Sequence, residues 1–195
     1  MKKKKQHKKN IKIIGGKFRG RYLNSVKHIK IQPTNSRTKE TLFNWLQKFI
    51  KNSICLDCFS GSGNLSIESA SRNSLFITAL EKNKKLFKII QKTISKFKIK
   101  NIHLHCTNTL TWLKKKGHPY DIIFLDPPFK KRHILQITIF LINQNDWIKK
   151  NSLIYIEKSK NFTTLIIPKN WICIKYHYTR RISYSLYQVS YTKKK

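Results

Sequence analysis

Acidic residues are scarce in this chain: eight aspartates and glutamates stand against 42 lysines and arginines in 195 residues, a formal net charge of +34. A domain of this length ordinarily carries about two dozen acids, so the position of each one is informative. A positive field of this size favours polyanions, nucleic acid above all. Charge alone does not define a nucleic-acid reader, because only seven of the 42 are arginine and the wealth of Lys, Ile and Asn fits compositional drift. The lysine run at 2–5 reads as a solvated tail.

Long apolar runs are missing too. The best, Ile137 to Ile142, falls far short of the roughly 20 residues that cross a bilayer. The basic start is followed only by Ile11 to Gly16, too short and polar for the core of a signal peptide. A soluble, cytoplasmic protein without a membrane partner is expected. Cysteines number four. Cys55 and Cys58 sit in a run that reads as a strand, where positions three apart face opposite sides and cannot share a metal or a redox bond. Cys106 and Cys173 have no ligand-spaced neighbours, so all four are expected to be small buried hydrophobes. The seven histidines share no spacing. No metal site is expected.

What is present is a globular composition, 39% hydrophobic with 11 Phe and 8 Tyr, enough for one substantial core. Three segments are expected: a basic tail over 1–10, an N-terminal extension over 11–50, and the main domain over 51–195. In the extension, 11–32 reads as short strands and hairpins with turns at Gly15-Gly16 and Gly20. Apolar spacing at Leu42, Phe43, Leu46, Phe49 and Ile50 predicts an amphipathic helix over 37–50. Beyond it, strands (54–59, 75–80, 102–106, 122–125, 153–157) alternate with helices (64–71, 84–97, 109–116, 134–141), and two late strands follow at 171–178 and 184–189. Alternation of this kind, with strands that are apolar throughout, predicts an α/β fold with a mostly parallel sheet covered by helices. Trp112 and Trp147 read as core or rim aromatics. Arg180 and Arg181 suit either a phosphate contact or a solvated loop.

Four of the eight acids, Asp57, Glu81, Asp126 and Glu157, fall at or near predicted strand ends. Ligands of parallel sheets bind beyond those ends. Asp57-Cys58-Phe59-Ser60-Gly61-Ser62-Gly63 follows the first parallel strand and opens a helix, and the paired glycines allow a tight turn and close approach to the backbone. Glu81 ends the next strand at about the offset where an acid accepts hydrogen bonds from adenosine ribose hydroxyls. A purely structural glycine turn is the bland alternative. A dinucleotide loop is the functional rival, weakened by Ser66 where its third glycine belongs.

Asp126-Pro127-Pro128-Phe129 is the most specific element. Each proline stiffens the residue before it and removes an N–H. The result is a rigid ledge with one carboxylate, one aimed carbonyl at Pro127 and one aromatic ring at Phe129. A flat base bearing an exocyclic amine needs those parts: two acceptors for its hydrogens and a ring to stack on. Such an amine is a poor nucleophile until hydrogen bonds favour its pyramidal form, and after alkylation it is acidic enough to lose its proton to Asp126 or water. A strand-ending turn plugged by a ring is the structural alternative.

With these motifs in view the chain resembles class I methyltransferases that carry an acid-Pro-Pro-aromatic motif. More narrowly it resembles the RsmD type of 16S rRNA guanine-N2 methyltransferase. The likeness runs from Ile11 to about Tyr187 and is carried by Ile13-Ile14-Gly15-Gly16 with Phe18-Arg19-Gly20-Arg21, by Pro33-Thr34 with Arg37 and Glu40 to Leu46, by Leu56 to Gly63, and by Asp121 to Phe129. It implies a Rossmann-like seven-stranded sheet, mostly parallel with the last strand antiparallel, plus a small β-rich N-terminal extension that grips RNA. It also implies S-adenosyl-L-methionine as cofactor and, as target, the guanine at position 966 of 16S rRNA in the small ribosomal subunit or its assembly intermediate. By motif match, Asp57, Phe59, Gly61, Gly63, Glu81 and Asn108 would meet the cofactor, and Asp126, Pro127 and Phe129 the base. Arg19, Arg21, Thr34 and Arg37 would meet RNA. The protein would act as a monomer. This family usually has arginine where this chain has Lys39. Two other readings remain open on the residues: an adenine-N6 or DNA amino-methyltransferase of the same fold, and a non-enzymatic basic rRNA-binding assembly factor.

Overall fold

A computed structural model describes residues 11–24, 36–128, 132–162 and 164–191. Seven strands form one sheet: β1 (Ile54–Asp57), β2 (Phe76–Leu80), β3 (Ile102–His105), β4 (Tyr120–Leu125), β5 (Ile148–Ser159), β6 (Trp171–Tyr178) and β7 (Ile182–Val189). Their spatial order is β3-β2-β1-β4-β5-β7-β6. The five strands from β3 to β5 run parallel, and β7 is antiparallel to both β5 and β6. The expected architecture of a mostly parallel sheet with an antiparallel last strand therefore holds.

The chain enters at the middle of the sheet, runs outward through β2 and β3, then returns to lay β4 on the other side of β1. Loops leaving β1 and β4 consequently diverge, which opens a crevice at the carboxyl end of the sheet. Among the described residues, five helices cover the two faces: α1 (Ser36–Trp45), α2 (Asn64–Ser71), α3 (Lys84–Lys96), α4 (Thr109–Leu113) and α5 (Arg132–Gln144). Leu42, Phe43 and Leu46 of the α1 region pack with Leu65, Ile67 and Ala70 of α2 against one face; Leu113, Leu135, Ile139 and Ile142 of α4 and α5 cover the other. Ile122 to Leu125 are buried on alternate faces, which is why β4 is apolar at every position. Cys55 and Cys58 enter opposite cores as the strand alternation predicts, and burial pushes the Cys55 thiol up to about 12.

Several expectations need correction. Cys106 and Cys173 are exposed, not buried; both lie on edge strands or just beyond them, where one side of the sheet lacks a neighbour. The described part of the extension is not strand-rich: 11–24 forms a loop closed by a single antiparallel bridge, Lys12 to Tyr22, with a 3-10 turn at Gly16–Phe18. Its Ile13, Phe18 and Leu23 are buried in the same core as the sheet. These three anchors and the backbone bonds around the bridge hold the loop in place; 25–32, the rest of that reading, lies outside the described residues. The helix over 37–50 stops at Trp45 and continues as turns, which still bring Leu46 and Ile50 into the core but leave Phe49 half-exposed.

The extension is fastened through Glu68, which is fully buried in α2. Its carboxylate accepts from the Ile14 and Gly15 amides at 3.0 and 2.8 Å and pairs with Lys39 Nζ and Arg72 Nε, each at 3.0 Å. Lys39 also donates to Asn64 Oδ1 and the Lys12 carbonyl, so α1, α2 and the loop meet at one ion cluster. Gly16 has φ +72, and a Cβ there would lie 1.8 Å from the Ser71 carbonyl oxygen; only glycine lets the loop lie this close to the end of α2.

Candidate active site

The loop after β1 is held from three sides. Asp57 ends the strand 2% exposed; its carboxylate accepts from the Phe59 amide at 3.3 Å and from the Ser66 hydroxyl one turn into α2. Burial pushes this carboxyl up to about 6. Glu81, the residue after β2, accepts from the Gly61 amide at 2.8 Å and from the Asn83 amide at 2.7 Å, and burial raises its pKa as well. The Thr109 hydroxyl donates to the Cys58 carbonyl. These bonds tie the ends of β1, β2 and β3 into one rim. Gly63 caps α2 with φ +78, and a Cβ there would press on Ile67 and Ile90 at 3.1 to 3.2 Å. At Gly61 the space beyond the backbone is open, the nearest atom to a Cβ lying 3.8 Å away. Asn108 is exposed on this rim and caps α4 through its Oδ1, which accepts from Leu110 N at 2.9 Å.

The acid-Pro-Pro ledge adjoins this rim because β1 and β4 are neighbours. Asp57 is in register with Phe124, and the Cys58 amide donates to the Phe124 carbonyl at 3.1 Å, so Asp126 emerges next to the glycine loop. Asp126 is partly exposed, Pro127 buried and Pro128 exposed. Phe129, the aromatic of the motif, lies outside the described residues, as does Thr34.

Behind the ledge stands a group that the sequence reading left without a role. Leu125 is in register with Ile156, so Glu157 of β5 lies alongside Asp126. Glu157 is 3% exposed and accepts from the Tyr155 hydroxyl at 2.8 Å. Burial pushes its carboxyl up to about 7. Tyr155 is itself raised by burial and then by the nearby Glu157 and Asp126 charges. Tyr184 packs beside Tyr155 and under Trp45 of α1, with ring centroids 6.3 and 5.5 Å apart, so the extension roofs this pair. Glu157 was legible only as a strand-end acid. Glu68 gave no signal beyond the rarity of acids and Lys39 none beyond standing where the resembled family has arginine, since their partners lie up to 54 residues away.

The structure thus brings Asp57, Phe59, Gly61, Gly63, Glu81, Asn108, Asp126 and Pro127 to one end of the sheet. It does not bring Arg19 and Arg21 there. Both are exposed on the loop whose Phe18 stacks on Phe97, past the C-terminus of α3, and the Arg21 guanidinium rests 5.5 Å from both rings. That position is at the far end of α2 from Gly63, about 12 Å along an eight-residue helix. Arg37 is exposed on the first turn of α1. Among the described residues no three His, Cys, Asp or Glu lie where they could hold a metal ion, and no helix is long and apolar enough to cross a membrane.

Strand order, crevice and ledge define a class I methyltransferase fold. The chain belongs to the family described as Conserved hypothetical protein 95, whose model matches residues 11–188. It is 47% identical to ribosomal RNA small subunit methyltransferase D of Buchnera aphidicola subsp. Acyrthosiphon pisum, over 91% of this chain and 92% of that one. Against the protein of the same name in Escherichia coli K12 it is 37% identical, over 91% and 89%. A solved structure from Escherichia coli, whose description proposes a methyltransferase, superimposes with a TM-score of 0.86 at 36% identity, covering 93% of this chain and 98% of that one.

Proposed function

We propose that this protein transfers a methyl group from S-adenosyl-L-methionine to the exocyclic N2 of one guanine in the 16S rRNA of the small ribosomal subunit or its assembly intermediate. The observation that carries the reading is the juxtaposition of Asp126 and Pro127 with the Gly61 and Glu81 rim across the β1/β4 crevice. Relatives named as small-subunit rRNA methyltransferases, over nine-tenths of the chain, support the substrate class.

The rim fits the cofactor. Glu81 accepts from the Gly61 and Asn83 amides and also interacts with the Lys82 amide; a carboxylate has about four acceptor positions, so it keeps capacity for a ribose hydroxyl. Open space at Gly61 lets a ligand approach the backbone. Asp57, satisfied by Phe59 and Ser66, holds the loop in shape, and Asn108 would border the adenine end. When bound, the cofactor supplies an electrophilic methyl group on a sulfonium.

The chain supplies the rest. Asp126 and the Pro127 carbonyl accept the two amine hydrogens of the guanine, which holds its nitrogen lone pair toward the methyl group, while Phe129 stacks on the base. As the new N–C bond forms, the amine becomes cationic and releases a proton to Asp126 or to water. Because the base has to leave its stack, a loop or splayed nucleotide is the suitable target.

The test is incubation with labelled S-adenosylmethionine and undermodified small subunits, followed by nucleoside analysis. Labelled N2-methylguanine is expected. A folded protein that yields none removes the reading, and label in N6-methyladenine moves it to a different amine.

A further inference from the structure

The outer strand β6 carries a surface that the proposed chemistry does not use. Seven of its eight residues are exposed. Tyr176 and Tyr178 are 59% and 58% exposed, with ring centroids 6.2 Å apart. They lie opposite Ser185 and Ser183 in register, whose small side chains give the rings nothing tall to pack against. Lys160 Nζ sits 4.8 Å from the Tyr178 ring, and the Lys160 amide donates to the Arg181 carbonyl, which brings the turn bearing Arg180 and Arg181 beside it. From residue 158 to the end the chain has nine lysines and arginines and no acid.

We infer that Tyr176 and Tyr178, with Lys160, Arg180 and Arg181, form a stacking platform for single-stranded RNA flanking the target nucleotide. Two exposed rings give sequence-tolerant faces for bases, and the surrounding cations meet phosphates. Location agrees with this. β6 runs in the same direction as β5, so both tyrosines lie toward the carboxyl end of the sheet, where Asp126 lies. Three strand spacings separate β6 from β4, about 14 Å, within reach of nucleotides next to a base seated on the ledge. A second copy of the chain suits this edge poorly. A bulge at Cys173 to Lys175 breaks its pairing register, and the cations repel a like surface.

The inference rests on the RNA substrate proposed above but is read separately from it, by binding. Affinity is measured for a single-stranded segment of small-subunit rRNA and for its duplex, at about 0.1 M and about 0.5 M salt. Tyr176→Ala/Tyr178→Ala is expected to weaken single-strand binding at least tenfold, on the order of one stacked base or more, at both salts. Duplex affinity should not move, and Tyr176→Phe/Tyr178→Phe should bind as the parent does. Arg180→Gln/Arg181→Gln should flatten the salt dependence instead. Unchanged single-strand binding by the alanine pair, or an equal loss on duplex, overturns the platform. So does a dimer that the alanine pair dissolves. Parent protein that binds through the tyrosines yet transfers no methyl group sinks the proposed function and spares the platform; normal transfer with indifferent tyrosines does the reverse.

Discussion

Glu68 and Glu157 are both buried carboxylates, yet their surroundings are opposite. Glu68 is enclosed by Lys39, Arg72 and two amides. Glu157 accepts from a neutral tyrosine hydroxyl and is pushed up to about 7 by burial. A buried charge with cationic partners serves as a fastener, and its removal strands the cations. Among the described residues Glu157 has no such cationic partner, and the position of a buried carboxyl next to another acid at a strand end is better explained by the site than by stability. In an acid-poor chain the contrast separates what holds the extension on from what shapes the crevice.

The largest effect should come from breaking the fastener. Glu68→Ala leaves Lys39 buried without its carboxylate and is expected to cost about 3–5 kcal/mol in chemical unfolding; a loss below about 1 kcal/mol would erase the contrast. Gly16→Ala should cost about 2–3 kcal/mol, because its left-handed backbone and the Ser71 carbonyl both oppose a side chain. Amide exchange at Ile14 and Gly15 should quicken, and unaltered protection there would show that the loop tolerates the strain.

On the crevice side, Glu81→Ala should weaken S-adenosylmethionine binding by roughly ten- to a hundredfold, as for hydrogen bonds to a charged acceptor. Titration calorimetry reads this directly, and parent-like affinity would detach Glu81 from the cofactor. A pH-dependent effect concerns Glu157. Its folded carboxyl keeps a proton that the unfolded chain releases above about 4.5, so parent stability falls as pH rises from about 4.5 to 7 and then levels. One such proton gives a slope of at most about 1.4 kcal/mol per unit. Asp57 adds a slope of the same sign between 3.8 and about 6. Glu157→Gln should remove its own share, so the two stability curves diverge above about pH 5; parallel curves would show that Glu157 titrates normally.

Much of this could be read from the chain because the parallel strands are buried on both faces. Ile122 to Leu125 had no polar side to confuse, and the helix over 64–71 was bounded by Gly63 and by Arg72 at its cap. β5 reads as 153–157 but spans Ile148–Ser159: Ile148 pairs with Tyr120 of β4, the exposed Lys149, Lys150 and Asn151 that look like loop residues fall at the irregularity in that pairing, and pairing with β7 carries the strand on to Ser159. The glycine loop and the Asp126 ledge were legible as local motifs. Their adjacency depends on strand order, which a sequence carries only through resemblance. The Glu68 cluster and the tyrosines behind Asp126 depend on contacts across dozens of residues and had no local signature.

One substitution bears on the chemistry most directly. Asp126→Ala, assayed with labelled S-adenosylmethionine and undermodified small subunits, should lower methyl transfer by about a hundred- to a thousandfold, with cofactor and RNA affinity largely kept. Transfer at the parent rate by that folded variant would contradict the role given to the ledge.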